Sequence, residues 1–276
     1  MYPILFRIGS FEVTTFGLMM FLSFMSAGWV LSIQLRRRNL NSEFAWDVLA
    51  WAAIAGIIGA KIYYLALHWP DLVANPVREL TSRGGLVWYG GLIGGVLAYY
   101  WQAKRHRMPL GPTFDAVAPA LALAYAVGRM GCFLVGDDYG LPTNSWVGIK
   151  FPQGSPPSTA DNLRQIGADI PLDVPGNTVL AVHPTQLYEV GLALIMFAIL
   201  WKLSSKALRS GQLFAVYFAL YGVERFMIEF VRAKGDRYIL GLSTSQIMSV
   251  VLLILAVVLW TNAGRRTRTV DTGATA

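Results

Sequence analysis

Seven stretches of this 276-residue chain are apolar for roughly 17 to 25 residues each, the length a helix needs to cross the hydrocarbon of a bilayer. They fall at about 13–35, 46–68, 85–103, 114–135, 187–203, 211–231 and 241–262. The fifth is short, and the sixth carries charges. A segment in lipid must satisfy its own backbone hydrogen bonds, so apolar runs of this length are read as helices. With 55% hydrophobic and 14% charged residues, the composition points the same way. The expected fold is an all-α integral membrane protein of seven transmembrane helices. It reads as a single multi-pass domain over 1–276, with a small extramembrane cap over about 136–186. That segment is rich in Gly, Pro, Asp and Ser. The first span is too long for the apolar core of a leader peptide, and Arg36, Arg37 and Arg38 stop it without a small-residue cleavage site.

The basic residues sort by side. Arg36, Arg37 and Arg38, then Lys104, Arg105 and Arg107, then Lys202, Lys206 and Arg209, then Arg265, Arg266 and Arg268 follow the odd-numbered spans. On the other side Arg7, Arg78, Arg83, Lys150, Arg164, Arg232, Lys234 and Arg237 are spread over longer segments. Cytoplasmic loops collect Lys and Arg, so the N-terminus is expected outside and the C-terminus in the cytoplasm. The net charge of +7 is therefore a topology signal with some attraction to anionic lipid, and it argues for no nucleic-acid partner.

Within this apolar frame a few polar residues are out of place. The run from Gly128 to Gly140 puts Arg129 deep in the fourth span, follows it with Cys132, and ends in Asp137, Asp138 and Gly140. Asp115 opens the same span, too far along the helix to pair with Arg129. The sixth span closes on Arg225 and Glu229, four residues apart and so on one helix face. His183, Pro184, Gln186 and Glu189 open the fifth span. Ahead of the third stand Arg83, Gly84 and Gly85, with Gly90, Gly91, Gly94 and Gly95 inside it. So many glycines suit tight helix packing or backbone lining a polar cavity. Lys61, near the outer end of the second span, reads as a lysine snorkelling to the interface. Ionisable groups inside a membrane are costly and usually mark a site. Arg83, Arg129, Arg225, His183, Glu189 and Glu229 are expected at one depth, near the outer leaflet. Guanidiniums in a water-poor cavity are suited to holding a phosphate; a purely structural lattice of salt bridges is the competing reading. One cysteine excludes an intrachain disulfide and a cysteine-based metal cluster, and no zinc, P-loop or dinucleotide pattern occurs. No metal and no cofactor is expected.

The segments Phe16 to Met19, Arg83 to Leu86, Gly128 to Gly140, His183 to Glu189 and Arg225 to Arg232, in this order and spacing along nearly the whole chain, resemble bacterial phosphatidylglycerol–prolipoprotein diacylglyceryl transferase. The resemblance implies a multi-pass enzyme of the bacterial inner (plasma) membrane, acting in lipoprotein biosynthesis. Its reaction is the transfer of diacylglyceryl from phosphatidylglycerol to the lipobox cysteine thiol of a preprolipoprotein, with release of glycerol 1-phosphate. The partners implied are that lipid, that peptide and the surrounding membrane lipid. Arg129 and Arg225 match the family's lipid-holding arginines and Glu229 its paired glutamate. The catalytic set implied is Arg83, Arg129, Arg225 and His183. The substrate-binding set is Arg129, Arg225, Glu229, Gly84, Gly85, Cys132, Asp137 and Gly140. The family often has Tyr, His, Asn and Glu where this chain has Phe16, Arg83, Cys132 and Asp137. A guanidinium does not serve as a general base, so the thiol proton must go elsewhere, with His183, the Asp137–Asp138 pair and water as acceptors. A catalytically silent phospholipid-binding or lipid-translocating protein on the same scaffold is the other class in view.

Overall fold

The computed structural model describes residues 3–9, 11–82, 84–232 and 241–271. Arg83, Lys234 and Arg237 lie outside them. Among the described residues seven helices run for 17 residues or more: α1 (Thr15–Arg37), α2 (Phe44–Leu67), α5 (Trp88–Arg105), α6 (Leu110–Val135), α8 (Thr185–Leu203), α9 (Gln212–Ile228) and α10 (Thr244–Asp271). Five of them, α1, α2, α6, α8 and α10, are long and apolar enough to cross a membrane. The other two are α5, of 18 residues, and α9, of 17 residues with Glu224 and Arg225 in its last turns. Short helices α3 (Trp69–Ala74) and α4 (Pro76–Thr81) follow α2, each with a proline in its first turn, where the missing N–H costs no bond.

Two compact units divide the chain. One comprises residues 28–113, the other residues 1–27 and 114–276. The first is built on α2 and α5, which approach so closely that a Cβ at Gly59 would strike the Gly90 carbonyl and one at Gly94 the Ala55 carbonyl. This accounts for the glycines within α5: they permit backbone-to-backbone packing, the device that helices use in lipid, where the hydrophobic effect gives no drive to associate. Gly85, ahead of α5, has a positive φ of 70° and lies against the Tyr64 ring. Lys61 lies near the C-terminal end of α2. Its Nζ donates to the Ser82 carbonyl at 3.1 Å, the Ser82 hydroxyl at 2.9 Å and the Gly84 carbonyl at 3.1 Å, tying the end of α2 to the segment before α5.

In the second unit, β1 (Ile4–Ile8) and β2 (Phe11–Thr14) pair antiparallel. Ala118, Ala122 and Ala126 of α6, Ala193, Met196 and Leu200 of α8, and Leu213 and Tyr217 of α9 are buried together. Asp115 is spent on architecture, accepting from the N–H groups of Gly211 at 2.7 Å and Phe214 at 2.9 Å and so capping the start of α9. The cap holds a two-stranded sheet, β3 (Ile149–Lys150) with β4 (Ala181–Val182), and a short helix α7 (Ala160–Gln165). Its own core joins Tyr139, Phe151, Ala160, Leu163, Ile170 and Val182, with Tyr139 stacked on Phe151 at 5.4 Å.

Candidate active site

The polar residues that stood out in the apolar spans meet at the ends of α6, α8 and α9. Glu189, in the second turn of α8, has a side chain with no exposed surface. Its Oε2 accepts from Arg129 twice, from Nε at 2.5 Å and from Nη2, and its Oε1 accepts from Arg225 Nη1 at 2.6 Å. Tyr125, one turn before Arg129 on α6, places its hydroxyl 2.9 Å from the same Oε1 and 3.3 Å from Glu224 Oε1. Arg225 Nη2 also reaches Glu229 Oε2 at 3.4 Å and donates to the Ser245 hydroxyl of α10 at 3.2 Å. Two guanidiniums thus share one carboxylate. Desolvation makes either charge alone very costly, so the three groups stand or fall together.

A second layer sits where α6 gives way to the cap. Asp138 has φ of 56°, a left-handed conformation that Asp tolerates better than most residues. This geometry turns its carboxylate back over the helix end, with Oδ2 3.0 Å from Arg129 Nη1 and Oδ1 2.6 Å from Arg232 Nη2. Burial works to raise the Asp138 carboxyl, but Arg232 and then Arg129 hold it down, to about 2. Its neighbour behaves oppositely: burial, and then the charge of Asp138, pushes Asp137 above the usual carboxylate range. Asp137 Oδ1 has no hydrogen-bond partner among the described residues. The loop is pinned by backbone contacts. Gln186 donates to the Asp137 carbonyl and Thr185 to the Asp138 carbonyl at 2.8 Å. Gly140 N–H donates to the His183 carbonyl at 2.8 Å, and Leu141 N–H to the Val231 carbonyl at 2.9 Å. Gly140 has no room for a side chain, because a Cβ would meet the Val231 carbonyl, Thr185 and His183.

The structure therefore brings Arg129, Arg225, Glu229, Cys132, Asp137 and Gly140 into one neighbourhood. Cys132 is buried, and its Sγ lies 3.5 Å from Arg129 Nη1. His183 is at the cap edge of this region, its Nδ1 3.1 Å from the Tyr188 hydroxyl, a loop-holding position. Gly84 and Gly85 belong to the other unit, where Gly84 accepts from Lys61. Arg83 is outside the described residues. Sequence reasoning left Tyr125, Glu224, Arg232 and Ser245 out of the site. Tyr125 looks like one more apolar residue of the fourth span, and Arg232 like a flanking charge; only the bridge between Gly140 and Arg232 carries that arginine back to Asp138.

Apolar helices of membrane-crossing length, with a buried lattice of arginines and carboxylates at the ends of α6, α8 and α9, define an integral membrane protein. The family model for prolipoprotein diacylglyceryl transferase matches residues 3–262, and the chain belongs to that family. It is 31% identical over 258 residues to the phosphatidylglycerol–prolipoprotein diacylglyceryl transferase of Clostridium tetani, covering 93% of this chain and 96% of that protein. The enzyme of the same name from Xanthomonas oryzae pv. oryzae is 33% identical over 93% of this chain and 89% of its own length. That of Pseudoalteromonas atlantica is 29% identical over 98% and 92%.

Proposed function

We propose that this protein transfers the diacylglyceryl group of phosphatidylglycerol to the lipobox cysteine thiol of preprolipoproteins in the bacterial inner (plasma) membrane. The observation that carries the reading beside family membership is the convergence of Arg129 and Arg225 on one fully buried carboxylate. Each guanidinium has five N–H groups in a planar fork. Glu189 takes two from Arg129 and one from Arg225, which fixes both planes and leaves further N–H groups to receive phosphodiester oxygens. In the reaction the thiol sulfur bonds to the glycerol carbon that carries the phosphate ester. The carbon–oxygen bond breaks, its electron pair leaves on glycerol 1-phosphate, and the thiol proton ends on the departing phosphate or in water. Charge grows on the phosphate oxygens, and each preorganised cationic donor in a water-poor site lowers such a barrier by about 3 kcal/mol.

On this reading Arg129 and Arg225 bind the phosphate, with Glu229 beside Arg225, and Arg83 supplies a third cation. Gly140, lacking a side chain, lets the loop after α6 close against the Val231 carbonyl, Thr185 and His183. Cys132 and Asp137 line the seat as polar neighbours, and His183 holds the loop that carries Gly140. Helices α5 and α9 join the five longer apolar ones as crossings, making seven, with the N-terminus and the 136–186 cap outside and the C-terminus in the cytoplasm. Mass spectrometry of a lipobox peptide incubated with the purified protein and phosphatidylglycerol tests the function. The expected result is a diacylglyceryl adduct on the peptide cysteine; lipid binding with no adduct would favour a silent lipid-binding protein.

A further inference from the structure

Glu224 is the carboxyl that the transfer chemistry leaves without a task. It is 6% exposed, lies one residue before Arg225 on α9, and takes part in no ion pair among the described residues. Its Oε2 has no hydrogen-bond partner there, and its Oε1 touches only the Tyr125 hydroxyl, at 3.3 Å. That hydroxyl is also 2.9 Å from Glu189 Oε1. A phenol has one proton to donate. Glu189 is a carboxylate, since three guanidinium N–H groups converge on it, so the shorter contact takes the Tyr125 proton. The contact with Glu224 then sets two acceptor oxygens against each other, unless Glu224 brings a proton of its own. A buried carboxylate with no cation at ion-pair distance and no donor left to it is costly, and the neutral acid removes both difficulties.

We propose that Glu224 is carried in the site as a neutral carboxylic acid that donates to Tyr125 and, through it, holds Glu189 in place between Arg129 and Arg225. Glu224 is a positioning residue: it is linked to the phosphate-binding arginines only through Tyr125 and Glu189. Without it, the Tyr125 hydroxyl is free to turn, and one oxygen of Glu189 loses its fixed neutral donor. The arginine planes that Glu189 sets then lose their register. Other groups in electrostatic reach of Glu224 are Tyr217, Tyr221 and Arg225 on its own helix, Tyr125 and Arg129 on α6, and Glu189 on α8. Residues 244–263 of α10, packed along α9, bring no titratable side chain.

The substitution that separates this role from a charged one is Glu224→Gln, because an amide N–H donates to Tyr125 as the acid O–H does and cannot carry the negative charge. With phosphatidylglycerol and a lipobox peptide, Glu224→Gln is expected to keep turnover within about threefold of the parent, while Glu224→Leu and Tyr125→Phe each lose about tenfold or more, mainly in kcat. Infrared difference spectra of the detergent-solubilised protein, Glu224→Gln minus parent, should lose one protonated-carboxyl C=O band that shifts in heavy water. The spectra report the proton whether or not the transferase reading holds, so the two ideas fail separately. Absence of that band, or a folded Glu224→Gln as slow as Glu224→Leu, would overturn the proposal. If Glu224→Leu does not fold, the glutamine variant and the spectra decide alone.

Discussion

Arg129 on α6 and Glu189 on α8 are joined by two guanidinium N–H groups on a single carboxylate oxygen, while the other oxygen of Glu189 is left for Arg225. This sharing gives α6, α8 and α9 a common polar centre in otherwise apolar surroundings. It also leaves each guanidinium in a fixed plane, the condition under which a phosphate can be gripped without reorganisation as charge develops.

Removing the shared anion should be severe. Glu189→Ala leaves two buried arginines facing each other, and loss of one partner from a buried ion pair typically costs about 3–5 kcal/mol. We expect a large drop in unfolding temperature in detergent and no turnover. Glu189→Gln, similar in shape, should fold but turn over at least about tenfold more slowly. Initial rates near those of the parent for Glu189→Gln would mean that its charge does not set the arginines.

Cys132 invites a different idea, a lipid-enzyme thioether. Its Sγ instead takes a place beside Arg129 Nη1, where an amide oxygen would serve as well. Cys132→Asn should therefore keep turnover within about tenfold of the parent. Complete loss of activity, together with a diacylglyceryl adduct trapped on Cys132 in the parent, would show that the thiol is a nucleophile.

The Asp138 bridge predicts an acid limb in stability. A carboxyl held below its usual value contributes stability above the unfolded value, near 3.8, and loses it as pH falls towards about 2. The side chain is 41% exposed, so solvent screening limits the contribution to about 1 kcal/mol. Asp138→Asn should melt lower than the parent at neutral pH, with the difference shrinking as pH is lowered through that window. Equal melting temperatures at pH 7 would show that the two ion pairs add nothing.

Topology is tested by labelling single cysteines in a Cys132→Ser background. Leu172, in the cap, is 91% exposed and accepts a cysteine without disturbing the core. Leu172→Cys should react with an impermeant maleimide from outside intact cells, and Lys104→Cys only after the cells are opened. The reverse pattern would invert the proposed orientation.

The sequence announced some of these features and concealed others, for physical reasons. Arg129, Arg225 and Glu229 were legible because a charge in an apolar span is expensive and four-residue spacing places two groups on one face. The glycines of α5 were legible as packing residues, but only the structure sets Gly90 and Gly94 against the backbone of α2. Glu189 is expected at the depth of the arginines, but that both turn towards its one carboxylate depends on how three helices pack. Asp138 was harder still. Its reach to Arg129 and Arg232 follows from one left-handed backbone conformation and from a bridge that brings residue 232 alongside Gly140. The pairing of β1 with β2 is not legible in the sequence because both strands are too short for alternation to stand out. Lys61 reads as a snorkelling lysine, and its partners Ser82 and Gly84 become visible only where the chain before α5 returns to α2.

The most direct test is whether the fork of each arginine, and not its charge alone, holds the phosphodiester. Thioether formation on a lipobox peptide and release of glycerol phosphate from head-group-labelled phosphatidylglycerol should be followed together in the parent, Arg129→Lys and Arg225→Lys. The parent should form both products in equal amounts, and each lysine variant, folded and membrane-inserted, should form both about a hundredfold more slowly, because a lysine keeps the charge but loses the planar pair of donors. Near-parental rates in both lysine variants would contradict the phosphate clamp and leave the arginines as charge balance for Glu189.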